Sequence, residues 1–223
     1  MRAWTHRTTG WLGTWILLGV LPATAHAANF KPGTEPWSAA FWASGQLSGS
    51  DAVKPLGGSV DIPGTSGSGL GVGVQLRWKN VVVGALTDWN AYSFAYHETW
   101  VGGVLGGTYD LSPEVRVELD VSAGSHQLNQ LGQEPWRTAL SSDKTELPFL
   151  GVRPTLWLRL PSQMRAALGV WLDVRRDLRE RTLTVRYQND GESTQTRDVY
   201  KVGGGMTAVG LQLALEYEWN FGR

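Results

Sequence analysis

The residues of this chain able to do chemistry are charged side chains set at every second position of otherwise apolar segments. Arg77, Arg116, Arg153, Arg159, Arg165 and Arg175 supply the cations, and Asp88, Glu118, Asp120, Asp173, Glu216 and Glu218 the carboxylates. Alternating with apolar neighbours, they fall on one face of extended strands. Six of each sign predict a balanced network of ion pairs and hydrogen bonds, because a lone charge taken out of water is costly. A narrow polar conduit or gate is the other use of the same set, helped by the glycines at 69–73 and 102–107. Acid–base chemistry has two histidine candidates, His97 and His126, with Asp88, Glu98, Asp120 and Ser125 nearby in sequence. An imidazole beside a serine and a carboxylate could cleave lipid or peptide bonds. No spacing here fixes such a triad, so both histidines are expected to be solvated residues at strand ends.

Other motifs are weaker. Gly69-x-Gly71-x-Gly73 and Gly203-Gly204-Gly205 look like fragments of phosphate loops, but the first lies inside a strand with no helix after it. Asn189-Asp190-Gly191-Glu192 has oxygen ligands of calcium type but the length of a turn. Cysteine is absent, which excludes disulfides and thiolate chemistry. No cofactor and no metal site are expected, and no catalytic residue is assigned.

The elements that must position these groups are strands. Val209–Phe221 reads VGLQLALEYEWNF, with Val209, Leu211, Leu213, Leu215, Tyr217, Trp219 and Phe221 on one face and small or polar residues on the other. A period of two over 13 residues predicts a long amphipathic strand. Seven more segments read alike: Trp37–Leu47, Leu70–Trp78, Val81–Trp89, Thr99–Tyr109, Val115–Ala123, 150–160 and 166–175. In the third, three valines run together and the preferred register puts Val81, Val83 and Ala85 on the apolar face. In the sixth, Pro154 lies mid-strand and predicts a bulge. Tight turns at Lys79-Asn80, Asp110–Pro113 and Pro161–Gln163 alternate with long connections at 48–67, 90–98, 124–146 and 176–205. The last of these is itself strand-like about Asn189-Asp190-Gly191, which predicts a β-ribbon offering free edges for strand addition.

Eight strands with all tight turns at one end and all long loops at the other predict an up-and-down transmembrane barrel, with short periplasmic turns and long outer loops. Trp37, Trp78, Tyr109, Tyr217, Trp219 and Phe221 gather at the periplasmic strand ends as an aromatic girdle. A soluble lipocalin-like barrel has the same alternation turned inside out; the girdle and the loop asymmetry favour the membrane form. The chain has no apolar run long enough for a membrane helix in its body, and its 20 basic and 20 acidic residues leave no charge bias toward nucleic acid. The first 27 residues have the organisation of a secretory signal peptide: Arg2 and Arg7, an apolar stretch from Trp11 to Leu21, then Ala25-His26-Ala27. Residues 28–36 form a polar periplasmic leader and 37–223 the barrel.

With these features the chain resembles the small eight-stranded outer-membrane barrels of the OmpA/OmpX type, over roughly residues 37–221. The resemblance is one of architecture, not of a sequence motif. It implies an outer-membrane location, contact with outer-membrane lipids, and insertion by the barrel-assembly machinery, whose C-terminal signal Val209–Phe221 resembles apart from the added Gly222 and Arg223. No large periplasmic domain follows, so peptidoglycan anchoring is not expected, and the His-x-Ser arrangement of lipid A deacylase barrels is absent. The expected function is a non-enzymatic barrel with a charge-filled interior whose outer loops, especially 124–146 and 176–205, contact a protein partner or lipopolysaccharide. A small pore or hydrophobic-ligand conduit, and a rim hydrolase, are the alternatives.

Overall fold

The computed structural model describes residues 37–57, 66–92, 96–132, 134, 136–161 and 166–204, with the backbone of 206–221. The signal peptide and leader expected at 1–36, and Arg165, lie outside the described residues. So do the side chains of Glu216, Glu218, Tyr217, Trp219 and Phe221.

Among the described residues twelve strands form: β1 (Trp37–Gly49), β2 (Val53–Gly57), β3 (Ser66–Trp78), β4 (Val81–Tyr92), β5 (Tyr96–Asp110), β6 (Val115–Asn129), β7 (Arg137–Ala139), β8 (Thr145–Arg159), β9 (Ala166–Asp177), β10 (Glu180–Asn189), β11 (Gln195–Gly203) and β12 (Met206–Phe221). Eight close into a barrel in the order β1-β12-β9-β8-β6-β5-β4-β3, every neighbouring pair antiparallel. The remaining four form a separate sheet, β2-β11-β10-β7. Closure removes the barrel's edges: Phe41 pairs with Tyr217 on one side and Val74 on the other.

The alternation sorts the two faces as a lipid-facing barrel requires. Leu70, Val74, Val83, Leu105, Leu119, Val121, Leu150 and Leu168 are exposed on the outside, while Arg77, Asp88, Glu118, Asp120, Arg153, Asp173 and Arg175 are buried within. In water such an exterior would be a continuous apolar patch of the kind monomers avoid; in a bilayer it is the lipid contact. On β4 the belt runs from Val81 to Trp89, roughly 27 Å along the strand and about 21 Å after a tilt of about 40°, close to the outer-membrane thickness. The lipocalin-like inversion is thereby excluded.

Two expectations need correction. The outer connections are shorter than the apolar pattern suggested, because the strands outlast the belt. Of the expected 90–98 loop, β4 takes up residues to Tyr92 and β5 those from Tyr96, and the strands on either side of 124–146 continue to Asn129 and from Thr145. Above the belt the polarity inverts. On β6 the outward series Leu119, Val121 gives way to Ser125 and Gln127, while the inward series Glu118, Asp120, Ser122, His126 ends in Leu128. On β8 the outward Val152 and Leu150 give way to Glu146, which accepts a hydrogen bond from Ser125, while Leu147 turns inward. A strand sought by its apolar outer face therefore stops at the membrane surface although its hydrogen bonds continue. Pro154 makes no bulge. The β8–β9 ladder skips Arg153 and Pro154 and resumes from Val152↔Val174 to Thr155↔Trp171 in unchanged register, while Pro154 stays paired with Leu119 of β6.

The 176–205 ribbon forms as β10 and β11, but its edges are not both free. β2 from the first outer connection pairs with β11, and β7 from the third pairs with the tip of β10. Three outer connections thus build one four-stranded sheet.

Candidate functional site

The inward charges stack in layers along the barrel. At the periplasmic end Asp110 accepts from Arg116 at 3.2 Å and Arg159 at 2.7 Å; Arg159 is half-buried here, at the rim. Next, Arg77 pairs with Glu118 at 3.1 Å, and Gln75 bridges them, accepting from Arg77 at 2.8 Å and donating to Glu118 at 3.0 Å. Above lies Arg153, which donates to Asp120 through Nη2 at 2.7 Å and Nε at 3.2 Å and stands 5.0 Å from both the Trp42 and Trp171 ring centres. Then Arg175 pairs with Asp173 at 2.6 Å and with Asp88, its guanidinium 5.1 Å from the Trp100 ring.

A layer the sequence reading did not assemble lies above this. His126 Nδ1 is 2.8 Å from Asp177 and Nε2 is 3.5 Å from Glu98, with the ring stacked on Trp100 at 3.6 Å and 5°. Glu98 also accepts from Ser50 and Tyr92, both at 2.9 Å, and from the Trp100 indole at 3.2 Å. His126 is therefore no solvated rim residue: His126, Glu98 and Trp100 have no exposed surface. The described interior holds two more buried carboxylates than the four buried guanidinium groups, and His126 stands between a pair of them. Nδ1 is hydrogen-bonded to Asp177, whereas Nε2 meets Glu98 at ion-pair distance without a hydrogen bond. His97 goes elsewhere, lying 5.2 Å from Trp89.

The two serines near this cluster are bonded elsewhere. Ser50 donates to Glu98, and Ser125 lies outside, bonded to Glu146. Neither serine is hydrogen-bonded to His126, and the layer lies between two apolar clusters. Below it the indoles of Trp42, Trp157 and Trp171 cross the barrel edge to face, with centroids 4.8 and 5.5 Å apart. Above it, Tyr92, Tyr96, Leu128, Leu131 and Leu147 of the barrel mouth pack with Val53, Val185, Tyr187, Tyr200 and Val202 of the external sheet. Buried in that same sheet, Arg137 donates to Asp198 at 2.7 Å and lies 4.1 Å from the Tyr187 ring centre.

The glycines that seemed to open a conduit are where its walls are filled. A Cβ at Gly73 would fall on the Trp42 ring, one at Gly169 on Trp157, one at Gly71 on Asp88 and one at Gly106 on Asp120. Each of these glycines is the direct ladder partner of the large or charged residue it makes room for on the adjacent strand. Signs of this existed in the sequence: Trp42, Trp157 and Trp171 share the polar face of their strands, where an aromatic can only point inward. Gly203 and Gly204 have φ of 82° and 80° in the bend between β11 and β12, and Gly191, with φ of 78°, closes the Asn189–Glu192 turn. These are backbone roles.

At the girdle positions, Trp37 and Trp78 stand half-exposed with centroids 6.1 Å apart, and Tyr109 is exposed on the outside. The β1–β12 register brings the backbones of Tyr217, Trp219 and Phe221 beside Phe41, Ala39 and Trp37 at the same end.

No family model matches this chain, and no curated protein does. Solved structures do. Neisserial surface protein A from Neisseria superposes over 82% of this chain and 97% of its own, with a TM-score of 0.50 and 11% identity. The outer membrane protein OprG from Pseudomonas aeruginosa superposes over 83% of this chain and 97% of its own, with a TM-score of 0.50 and 8% identity. With so few identities the likeness is one of fold. Joined to the apolar belt, it makes this chain an eight-stranded β-barrel protein of the outer membrane.

Proposed function

We propose that this protein is a sealed, non-enzymatic barrel whose outer loops, 124–146 and 176–205 above all, contact partners at the cell surface. The observation carrying this reading is the apolar core between the barrel mouth and the external sheet, to which three outer connections contribute. Building such a lid orders 27 strand residues, each costing about 1–2 kcal/mol of backbone entropy. A barrel that had only to span the membrane needs no lid. The septum of indoles and the paired interior charges support the sealed state, since an eight-stranded barrel is just wide enough to be filled by side chains. Burial of the His126–Glu98–Asp177 cluster beneath the lid supports a non-enzymatic role.

The test is current through planar bilayers holding the purified, refolded protein. The expected record is flat apart from rare transient openings. A steady ohmic current at low voltage would reject the sealed barrel and favour a pore. Turnover of lipid A or of a peptide that disappears in His126→Ala would restore the hydrolase.

A further inference from the structure

The external sheet turns Val53, Val185, Tyr187, Tyr200 and Val202 toward the barrel mouth. By alternation its other face carries Lys54 on β2, Arg197 and Lys201 on β11, and Arg186 on β10. The register sets Arg186 directly opposite Arg197, and Lys54 directly opposite Lys201. Side chains so opposed lie roughly 5 Å apart at Cβ, and like charges there are destabilising. Two such pairs on one small sheet are a standing cost with no return in folding. Partial relief exists for one pair: Lys201 meets Glu180 at 2.7 Å and Lys54 meets Asp51 at 3.9 Å, all four well exposed. Arg186 and Arg197 are exposed and have no carboxylate within ion-pair distance among the described residues.

Arg197 and Lys201 are four residues apart on one strand, so the two cationic pairs are separated by roughly 13 Å. A single small anion cannot reach both; a polymer carrying a charge at regular intervals can. The ground between is Thr182, Thr184 and Val199, with Gln188 and Gln195 beyond Arg186 and Arg197. Hydroxyls and amides offer hydrogen bonds, and the centre of the face lacks the aromatic anchor on which protein interfaces turn. At the margin Trp136, beside β7, is 57% exposed and offers a flat indole on which the C–H face of a sugar ring can lie.

We propose that the outward face of the external sheet binds a linear sulfated polysaccharide, with Arg186–Arg197 and Lys54–Lys201 as its two anion sites. This deepens the reading of the protein as a surface-contact barrel and rests on it only in taking the sheet as formed and accessible.

The experiment uses the full chain in lipid nanodiscs with immobilised heparin oligosaccharides as the probe. The native protein is expected to bind at low salt and to release steeply as salt rises, because cation–polyanion contacts return their counterions. Arg197→Glu is the informative variant. It should weaken binding about tenfold or more, while the folded band on unboiled gels stays as heat-resistant as the native one or more so, since a glutamate opposite Arg186 replaces repulsion by attraction. Trp136→Ala should weaken binding without altering its salt dependence. The proposal is overturned if the native protein does not bind the heparin probe at low salt, if Arg197→Glu binds as well as native, or if polyglutamate or the phosphorylated core oligosaccharide of lipopolysaccharide binds more tightly than heparin. Conductance of the same preparation separates the two readings. A silent barrel that ignores heparin defeats this inference alone, whereas a conducting one defeats the sealed barrel whatever it binds.

Discussion

Asp120→Ala should be among the most damaging single changes in the barrel, and the reason can be worked through from its surroundings. Arg153 and Asp120 are each at most 2% exposed, and two donors of the guanidinium converge on one carboxylate oxygen at 2.7 and 3.2 Å. Removing the carboxylate leaves Arg153 charged between two indoles, with about 3–5 kcal/mol of uncompensated burial. The flanking indoles already face the guanidinium in the native protein, so they soften the loss only as far as the side chain draws closer to them, which keeps it at the low end of that range. The net expectation is a loss of about 3 kcal/mol. In urea, with a slope of about 2 kcal/mol per molar, the unfolding midpoint in lipid vesicles falls by about 1.5 M. Tryptophan fluorescence reads the transition, since Trp42 and Trp171 flank the site, and gel mobility before and after boiling provides an independent probe. Arg153→Met alone should cost at least as much, because Asp120 then stands unpaired near Glu118. The double variant Asp120→Ala/Arg153→Met should return to within about 1 kcal/mol of the native protein, since deleting both charges removes the desolvation cost along with the bond. Raising the salt to 1 M should leave all differences in place, because ions do not screen a pair closed off from water. A single-variant loss under about 1 kcal/mol, or a double variant whose loss is the sum of the singles, would refute the idea that the interior is a set of interdependent buried pairs.

Three further outcomes follow from other parts of the molecule. Gly73→Ala places a methyl on the ring of Trp42, which Arg153 and Trp171 hold in place; a loss of about 1–3 kcal/mol in the same unfolding assay is expected, with a smaller loss for Gly45→Ala, which meets nothing. Leu119→Arg, on the exposed belt, should cost about 2–4 kcal/mol in lipid and slow membrane insertion, measured as the rate at which the heat-modifiable band appears. The external sheet should open in alkali. Burial pushes the Tyr187 phenol up to about 12 and raises Tyr200 as well. A phenol raised in the folded state gives stability that is complete below its unfolded value near 10 and is lost as pH climbs to 12. Tyrosinate absorbance and near-ultraviolet circular dichroism should change together across that window, and Tyr187→Phe should narrow the change.

How much of this was legible beforehand depended on which side of the membrane surface a residue lies. Inside the belt, alternation names the faces without ambiguity, because lipid tolerates no polar group and the interior tolerates little else. Val81, Val83 and Ala85 face out, and Arg77, Asp88, Glu118, Asp120, Arg153, Asp173 and Arg175 face in, all from a period of two. Which cation meets which carboxylate was not legible, because Arg175 reaches Asp88 across a separation of 87 residues, and that depends on barrel size and strand stagger rather than on spacing. The His126 layer was hidden for a related reason. Glu98 and Asp177 lie at strand ends where loops were expected, and only the continuation of β5, β6 and β9 past the belt brings them to one height.

That continuation also explains why a polar-looking loop sequence forms a lid. Above the belt the outside of the barrel meets water and the inside no longer has to match a column of charges, so burial reverses to the ordinary rule for soluble proteins. Leu128, Leu147 and Tyr96 turn inward at that level, and apolar residues that the outer connections bring cover them. β10 and β11 supply it through Val185, Tyr187, Tyr200 and Val202, and β2 and β7 pair along their edges. Once one face of that sheet is committed to the lid, its composition on the other face is free of packing demands. Neutral or opposite pairs would be the stable choice there. Arg186 facing Arg197 and Lys54 facing Lys201 depart from it on the one surface where departure costs the lid least, and where a polyanion arriving from outside would neutralise both pairs.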